Sequence, residues 1–428
     1  MTLLRPFALC FLALACSVSS GCTRKAEDAA SKSKERTLVI GFTASQTGKF
    51  NVESNRQIGG INLWVEQVNA AGGLALADGV RVRFATKYYD DESSKDRVQA
   101  LYTKLVSEDR ADFLLSPYSS GLADAAAVIA EQRGRIMITA GAASDSTHGK
   151  GYGRVYQVYT PASRYLTGAF DLLSRLDPKA RRIVFVHEND KFSTEVCAAA
   201  EQRARGLGFA VALNEGYEPG TADFAPFLNK IGTDTEVIMG GGHFADGATL
   251  AKQLFEKRTP AKFIALLVAP AEPKFAELGE SAVGIVGPSQ WEPTANYSAE
   301  KAKAFGVEWY GPSVAEFTAA YQARFHEEPS YHSAGGYVAC LILQKALSAA
   351  LTLDADKVRV AMDGIDMMTF FGRIRFDTDP SRHGLQKGHE MVYIQWQKDS
   401  QGKLVKQVVW PPEVQSKDGS YPARASGR

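Results

Sequence analysis

The stretch "FLLSPYSSGLADAAAVIA" at residues 113–130 poses the central question about this chain. A short apolar run, typical of a buried strand, leads into a loop that contains Ser119 and Ser120, and an alanine-rich helix follows directly. Paired hydroxyls in front of a helix N-terminus are compatible with three roles. They could bind an anion, activate a nucleophile, or cap the helix. The segments around this stretch have to decide among them.

The same strand–helix pattern repeats along the chain. "TLVIGFT" (residues 37–43) is typical of a buried strand, and the helix predicted after it carries an apolar face and stops at Gly72 and Gly73. An extended crossover, "RVYQVYTPASRY", leads to a second β–α series that begins near Arg182 and includes a helix predicted over "DFAPFLNKI". A later helix is predicted over residues 314–325. Repeated β–α units predict parallel sheets covered by helices on both faces. We therefore predict an α/β fold with two Rossmann-like lobes, joined by a multi-strand hinge, with a ligand cleft between them.

The N-terminus has the composition of a bacterial export signal. Arg5 precedes an apolar run over residues 7–18, which is too short to span a bilayer comfortably, since that takes roughly 20 residues. Small residues then lead to Cys22, an arrangement similar to a lipobox, in which the cysteine is lipidated. Cys16 is a rival anchor, and simple cleavage or a retained anchor helix are the alternatives. We expect a periplasmic or cell-surface protein with a lipid anchor in a bacterial membrane.

Composition and pattern together predict the domain organisation. The charged stretch after the signal has no apolar periodicity, which is typical of a solvated tether. The predicted limits are 1–22 for a signal peptide with a lipobox, 23–36 for a flexible tether, 37–158 plus about 290–378 for the first lobe, 159–289 plus about 379–410 for the second lobe, and 411–428 for a polar tail.

Composition also excludes several classes of function. The chain has 49 lysines and arginines against 48 acidic residues, so it offers no basic face for nucleic acid. Outside the signal region only Cys197 and Cys340 remain, too few for a disulfide framework or a cysteine-rich metal site. The sequence contains no phosphate-binding loop, no HExxH pair and no nucleophile elbow. We expect no enzymatic activity, no cofactor, no metal site and no nucleic-acid partner.

Three polar loops fall at the carboxyl ends of predicted parallel strands. They are "TASQTGKF", "SPYSSG" and "TAGAAS", all rich in serine, threonine, alanine and glycine. Ligands of open parallel sheets bind in the crevice at those ends, where small residues let the backbone approach closely. Helix capping would explain any single loop. Three convergent loops favour a binding site.

Longer segments carry a family resemblance. The blocks "IGFTASQTGKFNVESNRQIGGINLWVEQVNAAGGL" and "YYDDESSKDRVQALYTKLVSEDRADFLLSPYSSG", with the "GAAS" loop, resemble the leucine/isoleucine/valine-binding proteins. These are type I periplasmic solute-binding proteins of ABC importers. The resemblance covers residues from about 37 to 410 and is stronger in the first lobe. It implies ligand capture by hinge closure and an ABC permease as partner.

The resemblance also implies which residues hold the ligand's polar end. Ser119 or Ser120 matches a serine that hydrogen-bonds the ligand carboxylate. Ala142 and Ser144, in "GAAS", match an alanine and a threonine that contact the carboxylate and amino ends through backbone and hydroxyl groups.

Aromatic residues are expected around the rest of the ligand. Phe192 matches a ring that covers the ligand from the second lobe, His243 or Phe244 matches another, and Phe50 stands near a first-lobe tyrosine of the family. Together with Trp291, the phenylalanines would suit an apolar or aromatic ligand. The alternative is that some of these rings are ordinary core.

One departure from the family bears on the ligand. The acidic residue that pairs with the ligand's α-amino group is expected just after "FIALLV", but Glu272 is displaced from that place and Asp246 is the substitute. If neither reaches the cleft, the ligand carries a carboxylate without an ammonium group, because a buried ammonium without a counter-charge is costly.

These observations predict an extracytoplasmic binding protein of an ABC importer that takes up a branched-chain or other apolar amino acid. Two alternatives keep the fold. One is a ligand sensor that contacts a receptor instead of a permease, and the other is a binder of aromatic or short-chain carboxylates.

Overall fold

The computed structural model describes residues 35–77, 79–295 and 297–423. The predicted signal peptide, the anchor at Cys22 and most of the tether lie outside the described residues. Strand β1 (Glu35–Ala44) begins two residues inside the predicted tether. Its register with the strand β3 (Arg81–Asp90) pairs Glu35 with Arg81 and runs unbroken to Ala44 and Asp90, so residues 35 and 36 belong to the sheet.

The first lobe is built on a six-stranded sheet in the order β2-β3-β1-β4-β5-β6. The remaining strands are short: β2 (Leu74–Ala75), β4 (Phe113–Leu115), β5 (Met137–Thr139) and β6 (Val155–Gln157). All neighbours are parallel except β2 and β3. The carboxyl ends of β1, β4 and β5 therefore meet at one edge, where the three polar loops follow them.

Helices pack around this sheet and on one another in the first lobe. They are α1 (Asn51–Ala70), α2 (Lys95–Ser107), α3 (Ser120–Gln132), α4 (Asp145–His148), α9 (Ala299–Ala304), α10 (Val314–Phe325), α11 (Tyr331–Ala350) and α12 (Ala355–Asp363). Helix α1 packs closely on α11. A Cβ at Gly60 would lie 1.9 Å from the Ser333 carbonyl oxygen, and one at Gly336 would lie 2.3 Å from the Gln57 carbonyl oxygen. These glycines permit the contact of the two backbones.

The second lobe holds a seven-stranded sheet in the order β16-β15-β11-β10-β9-β7-β8. Its strands are β7 (Arg182–Glu188), β8 (Ala210–Tyr217), β9 (Val237–Gly241), β10 (Phe263–Leu266), β11 (Val286–Ser289), β15 (Val392–Lys398) and β16 (Leu404–Trp410). β7 to β11 are parallel, whereas β15 and β16 add an antiparallel edge.

Four α-helices flank this second sheet: α5 (Thr167–Leu176), α6 (Lys191–Gly206), α7 (Ala225–Leu228) and α8 (Phe244–Glu256). The helix predicted over "DFAPFLNKI" shrinks to the single turn of α7. A small third sheet, which the sequence did not predict as a unit, contains β12 (Glu308–Trp309), β13 (Asp366–Thr369) and β14 (Gly372–Arg375).

Three segments connect the lobes, after β6, after β11, and between β14 and β15. They are hydrogen-bonded to one another through Gln290. Its side-chain oxygen accepts from the Thr160 N–H at 2.9 Å, and its carbonyl oxygen lies 2.7 Å from His389 Nε2. The hinge is therefore a bonded bundle of three segments. The lobe limits given above remain a prediction.

No single helix in the described part of the chain has the length and apolar character to cross a membrane. Helices α11 and α12 meet that test only as a pair bent by 111°.

Candidate functional site

The loop after β4 places its two serines differently. Ser119 precedes α3 with an extended backbone, and its side chain makes no capping hydrogen bond. The Ser120 hydroxyl oxygen accepts the Ala143 N–H at 3.1 Å, which ties this loop to the one after β5. A hydroxyl that accepts through its oxygen keeps its own proton to donate. Neither serine is spent as a helix cap, so both are available to a ligand.

A cavity of about 10 Å³ lies between the lobes at this point, which is room for roughly one water molecule. Both lobes and the first connecting segment line it with Tyr118, Ser119, Ser120, Gly141, Ala143, Tyr159, Tyr165, Phe192, His243, Val268 and Tyr331. Side chains of the two lobes thus fill most of the space between them. A larger ligand enters only if the lobes separate or these side chains move.

The lobes touch at His243, directly before α8. Its Nδ1 lies 2.8 Å from the Tyr118 hydroxyl of the first lobe. The Phe50 ring packs edge-on against the imidazole, with 4.6 Å between the ring centroids. Phe50 also contacts the Tyr118 ring, at 5.6 Å, although it is not among the cavity-lining residues. His243 therefore lines the cavity and Phe50 packs against it, while the predicted contact of both residues with a ligand stays a prediction.

Behind His243 lies a buried cluster of charge. His243 Nε2 is 2.9 Å from Asp190 Oδ2 and 3.7 Å from Glu188 Oε2. Lys49 of the first lobe donates to Glu188 Oε1 at 2.8 Å. Burial opposes the charged imidazole, but the charge and hydrogen bond of Asp190, with Glu188 and Glu53 nearby, raise the pKa of His243 to about 9. Burial likewise opposes the Asp190 carboxylate, yet His243 lowers its pKa to about 2.

A larger recess opens beside this cluster. It has a volume of about 210 Å³, and Lys49, Glu188, Thr221, His243 and Asp246 are among the residues that line it. Because His243 lines both spaces, it forms the wall between the recess and the inner cavity.

The structure moves Ala142 and Ser144 out of the predicted role. The cavity is lined by Gly141 and Ala143 on either side of Ala142, not by Ala142 itself. The Ser144 hydroxyl points across the lobe boundary and donates to Glu195 at 2.7 Å, beside the Asp145 N–H, which donates to the same carboxylate at 3.0 Å. Ser144 therefore joins the lobes and does not line the cavity.

Two predicted aromatic residues are also corrected. Trp291 is fully buried in the core, where its ring packs against Phe317 and Phe370. Phe244 does not line the cavity, and its backbone N–H donates to Glu53 of the first lobe at 2.8 Å. Phe192 does line the cavity.

The two candidate acids are occupied elsewhere. Asp246 accepts the His243 N–H at 2.8 Å at the start of α8 and a hydrogen bond from Tyr217. Glu272 is fully buried, 2.5 Å from His332 Nδ1. Burial opposes ionisation, but His332 and the nearby Arg56 lower the pKa of Glu272. No aspartate or glutamate is among the described residues that line the cavity.

Several cavity residues escaped the sequence analysis. Tyr118 lies directly before the two serines, and Tyr159 and Tyr165 lie in the predicted crossover between the lobes. These positions in the sequence indicated that the three tyrosines lie near the cleft. Tyr331 begins α11, and nothing in the sequence around it indicated a place at the cleft. Val268 has a φ of 49°, a backbone conformation that is strained for a β-branched residue.

Two lobes linked by a three-segment hinge, with a polar and aromatic cavity between them, define a hinged ligand-binding protein. The comparisons identify its family. The profile described as "Periplasmic binding protein" matches residues 37–402, and the chain belongs to that family, in its leucine/isoleucine/valine-binding group.

Relatives agree with this assignment. A Leu/Ile/Val-binding protein homolog 8 from Brucella melitensis is 24% identical over 362 residues, 81% of this chain and 84% of that protein. The branched-chain amino acid transporter substrate-binding protein LivJ from Streptococcus pneumoniae, in complex with isoleucine, superposes with a TM-score of 0.71 at 22% identity, covering 88% of this chain and 100% of LivJ. A solute-binding protein of an ABC transporter from R. palustris, in complex with 4-hydroxybenzoate, superposes with a TM-score of 0.74 at 16% identity, covering 90% and 98%.

Proposed function

We propose that this protein is the extracytoplasmic binding component of an ABC importer and that it binds a small carboxylate without an α-ammonium group. The observation that carries the ligand class is the make-up of the cavity. Its described lining holds hydroxyl donors and one histidine but no aspartate or glutamate. An anion is stabilised by such donors, whereas a buried ammonium would lack a counter-charge.

The carboxylate end is assigned to Ser119 and Ser120. Both line the cavity, and both are almost fully buried. Hydrogen bonds to an ionised group are shorter and stronger than neutral ones, and the low dielectric of a closed cleft strengthens them further. Tyr118 of the first lobe and His243 of the second also line this space and contact each other, so closure completes the wall around the acid.

The body of the ligand is assigned to the aromatic side of the cavity. Tyr165 and Phe192 pack edge-on with ring centroids 4.9 Å apart, and Tyr159 packs on Tyr331 at 5.6 Å. Aromatic pairs favour such edge-to-face arrangements, and a flat ring inserted among them gains the same contacts. An aromatic acid is the favoured ligand.

A second candidate ligand is an apolar amino acid, which the family resemblance predicted first. The similarity to the Leu/Ile/Val-binding protein homologues supports it. This ligand requires a counter-charge for its ammonium group. Glu272 is the acid that lies nearest in sequence to the place after "FIALLV" where the resemblance expects that counter-charge. That carboxylate would have to leave His332, to which it is now bound.

Capture follows from hinge motion. Opening the cleft must break the contacts that join the lobes, among them Tyr118–His243, Lys49–Glu188 and Ser144–Glu195. The closed shape is then the surface that a permease would recognise. We also place the protein outside the cytoplasm, tethered by a lipid at Cys22. Mass analysis of the mature N-terminus, with Cys22→Ser as the control, tests the anchor.

A thermal-shift screen of the full-length protein tests the ligand class. The panel contains pairs that differ only in the α-ammonium group, such as 4-methylpentanoate with leucine and 3-phenylpropanoate with phenylalanine, together with benzoates. We expect stabilisation by the acids and none by the amino acids. If leucine or phenylalanine stabilises the protein and the matching acid does not, the proposal is contradicted.

A further inference from the structure

We propose that Glu188, Asp190 and His243 form a binding site for one divalent transition-metal ion, such as zinc, in the second lobe. The proposed uptake function neither requires nor implies this site. The three residues come from adjacent places in the sheet, since β7 ends at Glu188, Asp190 precedes α6, and His243 precedes α8.

The three ligand atoms already converge. His243 Nε2, Asp190 Oδ2 and Glu188 Oε2 all lie within 4.8 Å of one another. Two of the separations from His243 Nε2 are 2.9 Å and 3.7 Å. Zinc–ligand bonds of about 2.0–2.2 Å place neighbouring ligand atoms at roughly these separations. One imidazole with two carboxylates is a donor set that zinc and its first-row neighbours accept.

The other polar atom of each side chain is fixed by a neighbour. Tyr118 holds His243 Nδ1 at 2.8 Å, the Ser193 N–H holds Asp190 Oδ1 at 2.7 Å, and Lys49 holds Glu188 Oε1 at 2.8 Å. Such outer contacts orient ligands in metal sites.

One ligand atom has no partner. Glu188 is only 1% exposed, yet its Oε2 is buried without a hydrogen-bond partner. A buried carboxylate oxygen normally finds a donor. Because this atom points into the cluster, a cation there would satisfy it.

The backbone makes room for this arrangement. A Cβ at Gly242 would lie 2.7 Å from the Glu188 Cβ and 3.1 Å from Glu188 Oε2, so a side chain at that position would displace the carboxylate. The recess of about 210 Å³ reaches Glu188 and His243 and supplies an entry path with space for a further ligand on the metal.

A bound ion would lie between His243 Nε2 and Asp190 Oδ2, which now contact each other at 2.9 Å. The ion would keep positive charge between the two carboxylates, while His243 Nδ1 kept its contact with the Tyr118 hydroxyl. Since Tyr118 and Lys49 belong to the first lobe, the ion would also stabilise the closed arrangement of the lobes.

Calorimetric titration of the full-length, chelator-treated protein with zinc chloride tests the site. We expect one equivalent to bind, with affinity reduced at least ~10-fold in Glu188→Gln and in Asp190→Asn. The control Glu256→Gln alters an exposed acid at the end of α8 in the same lobe and should bind as the unaltered protein does. Titration with cobalt(II) should give the visible absorption of a low-coordinate ion in the unaltered protein and in the control, and much less of it in Glu188→Gln and Asp190→Asn.

Absence of a stoichiometric site, or equal zinc affinity in the unaltered protein and both variants, would overturn the proposal. Circular dichroism separates loss of the site from loss of the fold. Binding of 3-phenylpropanoate by Glu188→Gln is measured in parallel. Because Glu188 does not line the inner cavity, the ligand proposal and the metal proposal can fail independently.

Discussion

On the first lobe's side the cavity meets serine hydroxyls and tyrosine rings, whereas on the second lobe's side it meets a histidine backed by two buried carboxylates. Ser119 and Ser120 are fixed, neutral donors on a loop held by Ala143. His243 reaches across to Tyr118 from a charged cluster. Under the proposed function, the first lobe would recognise the acid, and the second lobe would bring charge and aromatic cover when it closes.

The largest expected effect comes from removing the neutral donors. Ser119→Ala combined with Ser120→Ala deletes two hydroxyls beside the proposed carboxylate, and hydrogen bonds to charged groups contribute about 1.5–3 kcal/mol each. We expect the affinity for 3-phenylpropanoate to fall by at least ~100-fold. Calorimetry measures it, with the exposed Ser107→Ala on α2 as the control. Unchanged affinity in the double variant would place the acid elsewhere.

The second expected effect is a loss of stability at low pH, and it comes from buried histidines whose pKa differs from that of His243. The carboxylates around His243 raise its pKa to about 9 against the effect of burial, whereas burial lowers the pKa of His148 in the first lobe to about 4 and that of His389 in the hinge to about 3. Below pH 6.5 the unfolded chain takes up protons that folded His389 refuses, so the free energy of unfolding falls as the pH drops from 6.5 towards 3. The loss from His389 alone is about 2 kcal/mol at pH 5.

Denaturant unfolding at pH 7 and pH 5 tests this for His389→Gln. Gln keeps a donor for the Gln290 carbonyl oxygen but does not titrate. The stability lost between the two pH values should be smaller in the variant by about that amount. The exposed His326→Gln serves as the control, and an identical pH dependence in all three proteins would refute the account of His389.

The smallest effect concerns the aromatic cover. Phe192→Leu keeps an apolar side chain but removes the ring that faces the cavity from the second lobe. Loss of one aromatic contact should weaken binding of 3-phenylpropanoate by about 0.5–1.5 kcal/mol and leave 4-methylpentanoate nearly unchanged. The exposed Phe305→Leu is the matched control. Equal losses for the two acids would mean that Phe192 supplies bulk and not aromatic contact.

Much of the fold was predictable because periodicity and glycine positions report burial directly. Helix α10 was predicted and found over the same residues, Val314–Phe325. The helix predicted around Phe227 failed because its apolar residues, set beside Pro226, form only a single turn. The third sheet joins β12 to β13, strands separated by more than fifty residues, and no local pattern reports such a pairing.

The sequence predicts a residue's place at the cavity best where that residue follows the carboxyl end of a parallel strand. Ser119 and Ser120 line the cavity because parallel strands bring their carboxyl ends to one edge, and their contact with a ligand stays a prediction. Tyr331 was missed because the N-terminus of α11 reaches the cavity only through tertiary packing. Trp291 was misplaced since sequence does not tell which side of a chain segment faces the core. Ala143 lines the cavity and the next residue, Ser144, does not. A family resemblance does not distinguish neighbouring positions at this level.

Calorimetry with one matched pair tests the central claim most directly. The full-length protein is titrated with 3-phenylpropanoate and with phenylalanine, which share the ring and the carboxylate and differ in the α-ammonium group. The cavity chemistry predicts that the acid binds at least about 100-fold more tightly, because the ammonium would be buried without a counter-charge. Tighter binding of phenylalanine would contradict it and would mean that an acid such as Glu272 turns into the cleft.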